Sequence, residues 1–241
     1  MLVSLHLPTW LGFTALIIVC YFLGAIPFSL IVGKVFHHKD LRLLGSGNLG
    51  TTNAWRCLGP AAGIAVLVLD ALKAVVGIYL ARLIFPQAIS AAAYETLSPL
   101  VRIAYHVGSG YPVLTAHWAL VAAAVAVIGG HAFSPYIGFK GGKAVAATGG
   151  IVIAMVPKLV LILLPVFLIV LFVTRYVSVG SLTIAVLLPL TMWWFYPSLP
   201  FIIFSVVAAL FVIWLHRSNI ARLRAGTENK LGSGKAKSPV G

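Results

Sequence analysis

Charge is what this chain has least of. Only 9% of its 241 residues are charged, and four are acidic: Asp40, Asp70, Glu95 and Glu228. Soluble domains carry about 25% charged residues, so a water-soluble globule is excluded. Cysteine is scarce too. Cys20 and Cys57 form no CxxC or other metal-ligand spacing, so a disulfide framework and a zinc site have nothing to build on. No Lys or Arg precedes Lys34, and the basic n-region of an ordinary signal peptide is therefore missing. No serine stands in GxSxG, which leaves a hydrolase elbow unsupported. The Walker A pattern and any HxxxxD pattern are absent as well. No internal repeat is visible.

What is present is apolar surface. Hydrophobic residues make up 61% of the chain and the mean hydropathy is +1.07. Runs near 20 residues recur from end to end, which defines an all-α integral membrane protein. Seven apolar segments are expected, at about 11–35, 60–84, 113–130, 144–156, 158–173, 182–196 and 199–215. Five spans are the alternative, if 144–173 is one long helix. The formal charge of +13 could suggest nucleic acid, but the basic residues flank apolar spans, where they set orientation and meet anionic lipid. With the N-terminus outside, seven spans put 34–59, 131–143, 174–181 and the tail from 216 inside. Those segments hold thirteen of the seventeen Lys and Arg, the positive-inside pattern. The connection at about 85–112 is expected to lie along the interface. One polytopic unit over 1–225 is expected, followed by a basic, disordered cytoplasmic tail over 226–241.

Three polar segments fall on the inner side. "GSGNLGTTNAWR", Gly45 to Arg56, crowds glycines, neutral donors and an arginine fork. It reads as an anion-binding loop or as an ordinary connection rich in turn formers. "KGGK" sets Lys140 and Lys143 around a glycine pair before a helix, a phosphate site or two orientation-setting lysines. "HRSNIARLRAGTENK" follows the last span, and His216 and Asn219 share a face if the helix continues. A basic tail lying on lipid explains its arginines but not His216, Asn219 or Glu228. Asp70 and Lys73, at i, i+3 inside the second run, read first as a structural pair. Arg175 and Ser178 occupy a short inner turn and could complete an anion site. "HHKD" at 37–40 reads as an interfacial loop.

These residues carry a resemblance. The chain resembles the bacterial acyl-phosphate-dependent glycerol-3-phosphate acyltransferases, the PlsY family. Gly45 to Arg56 is similar to the family's GSGNxGxTNxxR, Gly130 to Lys143 to GHxF…FKGGK, and His216 to Glu228 to HRxNIxRLxxGxE; Asp70 and Lys73 fit a DxxK pattern. The chain departs from the family at Ala144 and Ala74, where glycine is usual. The resemblance implies seven spans in a bacterial inner membrane, with the C-terminus and active site cytoplasmic. It implies acyl transfer from acyl phosphate to the 1-hydroxyl of glycerol 3-phosphate, with no cofactor or metal. Ser46, Arg56, Lys140 and Ser178 would form one phosphate pocket. Gly47, Asn48, Thr52, Asn53, Gly141, Gly142 and Lys143 would shape and donate to the glycerol-phosphate site, with Glu228 beside it. His216 would be the base or orienter, and Asn219 an oxyanion donor. Membrane lipids would be partners, the upstream enzyme that forms acyl phosphate is a further one the resemblance allows, and nucleic acid is not. The alternative from another class is a small organic-phosphate transporter.

Overall fold

The computed structural model describes residues 9–85 and 112–232. The expected interfacial connection, apart from its ends, and residues 233–241 lie outside the described residues. The described chain is helical throughout, with no strand. In order it forms α1 (Thr9–Ala25), α2 (Phe28–His37), α3 (Thr51–Leu58), α4 (Pro60–Ile84) and α5 (Pro112–Ala132). There follow α6 (Val145–Met155), α7 (Val160–Thr174), α8 (Val177–Phe195), α9 (Leu199–Leu215) and α10 (Arg217–Arg224).

Each of the seven expected apolar segments is helical. Among the described residues, five stretches have the length and hydropathy to cross a bilayer, the first being α1 and α2 together. A sixth is α9, of 17 residues, which meets α10 at a 55° bend. The seventh, α6, has only 11 residues, about 16 Å of helix against a hydrocarbon core of about 30 Å. The single long helix over 144–173, on which the five-span alternative rests, is broken. Pro157 lacks the N–H that would continue the ladder, and a 3-10 turn over Pro157–Leu159 separates α6 from α7. The turn before α8 is also shorter than expected. Helix α8 starts at Val177 rather than 182, and Ser181 stays inside it by donating to its own Val177 carbonyl, 2.9 Å away. Only Arg175, left-handed at φ 62, and Tyr176 turn the chain.

Helix α5 is the centre of the bundle. Its small residues, among them Ala116, Ala119, Ala123 and Ala124, are buried, and backbones come close without large side chains between them. Gly130 shows how close: a Cβ there would strike the Tyr21 carbonyl of α1. Large apolar side chains such as Leu161, Phe172, Val173 and Trp194 point outward, as lipid contact requires.

Polar groups inside the bundle answer freed backbone. The α1–α2 break at Ile26 and Pro27 interrupts the helical ladder and leaves carbonyls to be met by side chains. Ser134 Oγ donates to the Ala25 carbonyl at 2.6 Å, and Lys73 Nζ to the Ile26 carbonyl at 2.9 Å. Asp70 and Lys73 form the expected pair, 2.7 Å apart and buried. Asp40 of "HHKD" pairs with Arg42 and Lys34 and caps the 3-10 turn Leu41–Leu43.

Ala144, just before α6, is buried and left-handed at φ 60. That region costs a residue with a Cβ about 1–2 kcal/mol. Ala144→Gly is therefore expected to raise stability by up to ~1 kcal/mol, read as a higher Tm in detergent.

Candidate active site

The GSGNLG loop is built around Asn53. Its Oδ1 accepts from the Ser46 N–H at 3.0 Å, and its Nδ2 donates to the carbonyls of Leu44 at 3.0 Å and Leu41 at 3.3 Å. An asparagine so engaged has no group left for a ligand, so Asn53 folds the loop. Gly45 and Gly47 take positive φ in it, a conformation that favours glycine. Ser46 is exposed, and Asn48 and Thr52 are half-buried beside it.

One helix on, Arg56 turns inward. Its Nη2 donates to the Asn229 carbonyl at 2.8 Å, while its Nε is buried with no hydrogen-bond partner. Burial pulls this guanidinium below its ordinary pKa, partly offset by Glu228.

The glycines of KGGK act by closeness. The Gly141 N–H is held by the Ala132 carbonyl at 2.9 Å and the Gly142 N–H by the His131 carbonyl at 3.2 Å. Both N–H groups, expected as ligand donors, are thus committed to the end of α5. Lys143 follows and hydrogen-bonds Asn219 Oδ1. Burial lowers the Lys143 ammonium to about 8, with Arg222 adding to the effect. Lys140 is exposed and has no hydrogen bond or ion pair among the described residues.

The α9–α10 joint brings the third segment in. The helix does not run straight through His216, as its pairing with Asn219 assumed, but bends there. Both side chains are buried. His216 Nδ1 lies 2.7 Å from the Val212 carbonyl. A carbonyl can only accept, so Nδ1 carries the proton and Nε2 keeps its lone pair. Burial pushes this imidazole down to about 4, against the pull of the Val212 carbonyl.

Glu228 gathers the rest. It accepts from Asn219 Nδ2 at 2.6 Å, Arg222 Nε at 2.7 Å and Ser178 Oγ at 2.9 Å. Burial alone would raise this carboxyl, but these hydrogen bonds hold it below the ordinary range. Residues 226–232 were expected to begin a disordered tail. Instead, Leu231 N–H donates to the Arg175 carbonyl at 2.7 Å, and Lys230 lies 5.6 Å over the Tyr176 ring. Five hydrogen-bond partners, Ser178, Asn219, Arg222, Arg56 and the Arg175 carbonyl, reward this short strap for folding back.

Arg56, Lys143, Arg222 and Glu228 thus share one field. Three cations against one carboxylate leave +2, the complement of a dianion. Arg222 escaped the sequence reading, although it stands three residues after Asn219 on α10. An apolar cavity of about 400 Å³ lies between α4, α6, α7, α8 and α9. Its lining includes Val145, two residues past Lys143, and Val212, the carbonyl partner of His216.

Fold and site together define a polytopic membrane enzyme, with a cationic pocket and a neutral imidazole at the edge of an apolar chamber. The chain belongs to the glycerol-3-phosphate acyltransferase family, whose model matches residues 14–226. The glycerol-3-phosphate acyltransferase of Lactiplantibacillus plantarum is 37% identical over 214 residues, 89% of each chain. The crystal structure of PlsY (YgiH), an integral membrane glycerol 3-phosphate acyltransferase, in its glycerol 3-phosphate form is 30% identical with a TM-score of 0.75. It covers 92% of this chain and 96% of its own. Its lysophosphatidic acid form is 28% identical with a TM-score of 0.73 over the same shares. The transporter alternative gains no support from these relatives.

Proposed function

We propose that this protein transfers a fatty acyl group from acyl phosphate to the 1-hydroxyl of glycerol 3-phosphate. The observation that carries this reading is the net +2 cluster of Arg56, Lys143, Arg222 and Glu228, set between a neutral His216 and the apolar cavity. Both substrates bear phosphate, and their mutual repulsion has to be offset by fixed cations. Arg56, with its unpartnered Nε, holds one phosphate, with Lys140 and Ser46 reaching it from the exposed loops, while Ser178, its proton given to Glu228, steadies that carboxylate beside the pocket. Lys143 takes the other, beside Gly47, Asn48 and Thr52. The acyl chain occupies the cavity.

The glycerol hydroxyl oxygen attacks the acyl carbon, the bond from that carbon to the phosphate oxygen breaks, and lysophosphatidic acid and inorganic phosphate leave. An acyl phosphate is already an activated anhydride, so no nucleophilic side chain is needed. The hydroxyl proton goes to a phosphate oxygen. A base near 4 holds a proton about a hundredfold less well than a phosphate with a second pKa of about 6. His216 Nε2 therefore orients the hydroxyl, and Asn219 is the donor nearest the developing oxyanion.

Thirteen of seventeen basic residues fall on one side in the seven-span topology, which supports a site at the cytoplasmic face of a bacterial inner membrane with the N-terminus outside. The upstream acyl-phosphate-forming enzyme would dock there. The catalytic unit extends through the strap to residue 232.

Lys143 gives a pH prediction. Its ammonium binds anions and loses its proton as pH passes about 8. KM for glycerol 3-phosphate is expected to stay flat up to that pH and to rise above it, and Lys143→Arg is expected to remove the rise. The reading as a whole is tested by purified protein in detergent with labelled glycerol 3-phosphate and either palmitoyl phosphate or palmitoyl-CoA. Lysophosphatidic acid from palmitoyl phosphate alone is expected. Product from the thioester alone overturns the donor. No product from either, in folded protein, overturns the reading.

A further inference from the structure

Asp70 and Lys73 sit inside a span, 1% and 3% exposed, where a charge pair is costly and contributes little net stability over apolar residues. The pair does not stand alone. Lys73 Nζ has three protons, and three acceptors surround it: Asp70 Oδ1 at 2.7 Å, the Ile26 carbonyl at 2.9 Å and His131 Nδ1 at 3.1 Å. Asp70 Oδ1 is itself 3.6 Å from that His131 nitrogen. An ammonium only donates, so Nδ1 accepts and the His131 proton rests on Nε2.

That Nε2 is pressed against Gly142. A Cβ on Gly142 would collide with it, and would lie 2.8 Å from the Leu49 carbonyl. The His131 carbonyl meanwhile holds the Gly142 N–H. Leu49 belongs to the GSGNLG loop and Gly142 to KGGK, so the two loops meet at Gly142, beside the His131 ring. One residue further on, Lys143 enters the cationic cluster.

We infer that Asp70, Lys73 and His131 form a buried positioning triad, which sets the spacing of the two phosphate-holding loops without touching substrate. This rests on the assignment of those loops to substrate phosphates. Lys73 fixes the tautomer and plane of the His131 ring, the ring fixes Gly142, and Gly142 fixes Lys143. The Ile26 carbonyl ties the same ammonium to the α1–α2 break, from which α2 leads to the GSGNLG loop.

A pair kept for folding and a pair kept for positioning respond differently to an apolar replacement. Asp70→Leu with Lys73→Met removes both charges at once and leaves neither buried alone, and the Ile26 carbonyl keeps the Phe28 N–H at 3.1 Å, so the double variant is expected to stay folded with a Tm close to wild type in detergent. Its Kd for glycerol 3-phosphate, by titration calorimetry without donor, is expected to rise about tenfold or more, since loops displaced by an ångström lose their convergence. A folded double variant with wild-type Kd overturns the inference. His131 provides the second arm, which decides the matter if the double variant does not fold. His131→Asn keeps an acceptor near the Nδ1 position and is expected to bind within about threefold of wild type, while His131→Leu is expected to match the tenfold loss at unchanged Tm. Equal binding by the two overturns the inference. Wild-type protein that binds no glycerol 3-phosphate overturns the substrate assignment, and the inference with it, which separates the two failures.

Discussion

Arg56→Ala is expected to lower kcat/KM by about three orders of magnitude while the protein stays folded. Arg56 Nη2 is occupied by the Asn229 carbonyl, but Nε is buried with no partner. A buried donor left unpaired costs about 1–3 kcal/mol, so the free protein retains it only if something else benefits. A substrate phosphate supplies the missing acceptor, and charge-assisted bonds from a guanidinium are about twice as strong as neutral ones. Removing the side chain takes away both the charge and the fork. Losing one donor to developing charge costs about 3–4 kcal/mol in other enzymes, up to a thousandfold in rate. The fold has less at stake, because Arg56 holds only one strap carbonyl and Glu228 anchors the same strap through three other groups. Steady-state kinetics beside a detergent melting curve check both halves. Arg56→Ala with wild-type turnover would remove Arg56 from the pocket.

His216→Ala is expected to lower kcat about a hundredfold, with KM for either substrate changed less than about threefold. His216 is already neutral, since burial holds it near 4, so it adds no charge to substrate binding. Its Nδ1 proton is locked to Val212, and Nε2 is left as a fixed acceptor. Aiming a hydroxyl is worth rate rather than affinity. The same geometry predicts that His216 itself adds no inflection near the ordinary histidine value of about 6.5. The accepting phosphate, with a second pKa of about 6, sets a fall in kcat that wild type and His216→Ala share, and a further fall toward pH 4, where His216 loses its acceptor, is confined to wild type. A drop in wild-type kcat below pH 6.5 that disappears in His216→Ala would instead make His216 a titrating general base.

The sequence made the membrane class and the three polar motifs legible, for physical reasons. Apolar runs and their breakers are local, and the positions of the seven apolar segments follow from them. Asn219 and Glu228 were singled out because a basic tail on lipid has no need of them, Ser178 because its short turn could complete an anion site, and the structure ties all three together. What stayed hidden depends on distance along the chain. Nothing near His131 says that its partner is Lys73, 58 residues earlier. Nothing near Asn53 says that its amide is used up by carbonyls of its own loop. The start of α8 was misplaced because two serines in a row of valines look like a break, whereas Ser181 bonds within the helix. The glycines of KGGK carried an ambiguous signal. Glycine serves an exposed N–H and a close approach equally well, and here the close approach prevails.

The account stands or falls on where a substrate phosphate sits. The most direct measurement is a structure of the purified protein with glycerol 3-phosphate and a non-hydrolysable acyl phosphonate bound. The account predicts one phosphorus group within hydrogen-bond distance of Arg56 Nε, the other against Lys143 Nζ, and the alkyl chain inside the cavity that Val145 and Val212 line. Both groups bound away from Arg56 and Lys143, with Arg56 Nε still unpaired, would contradict it.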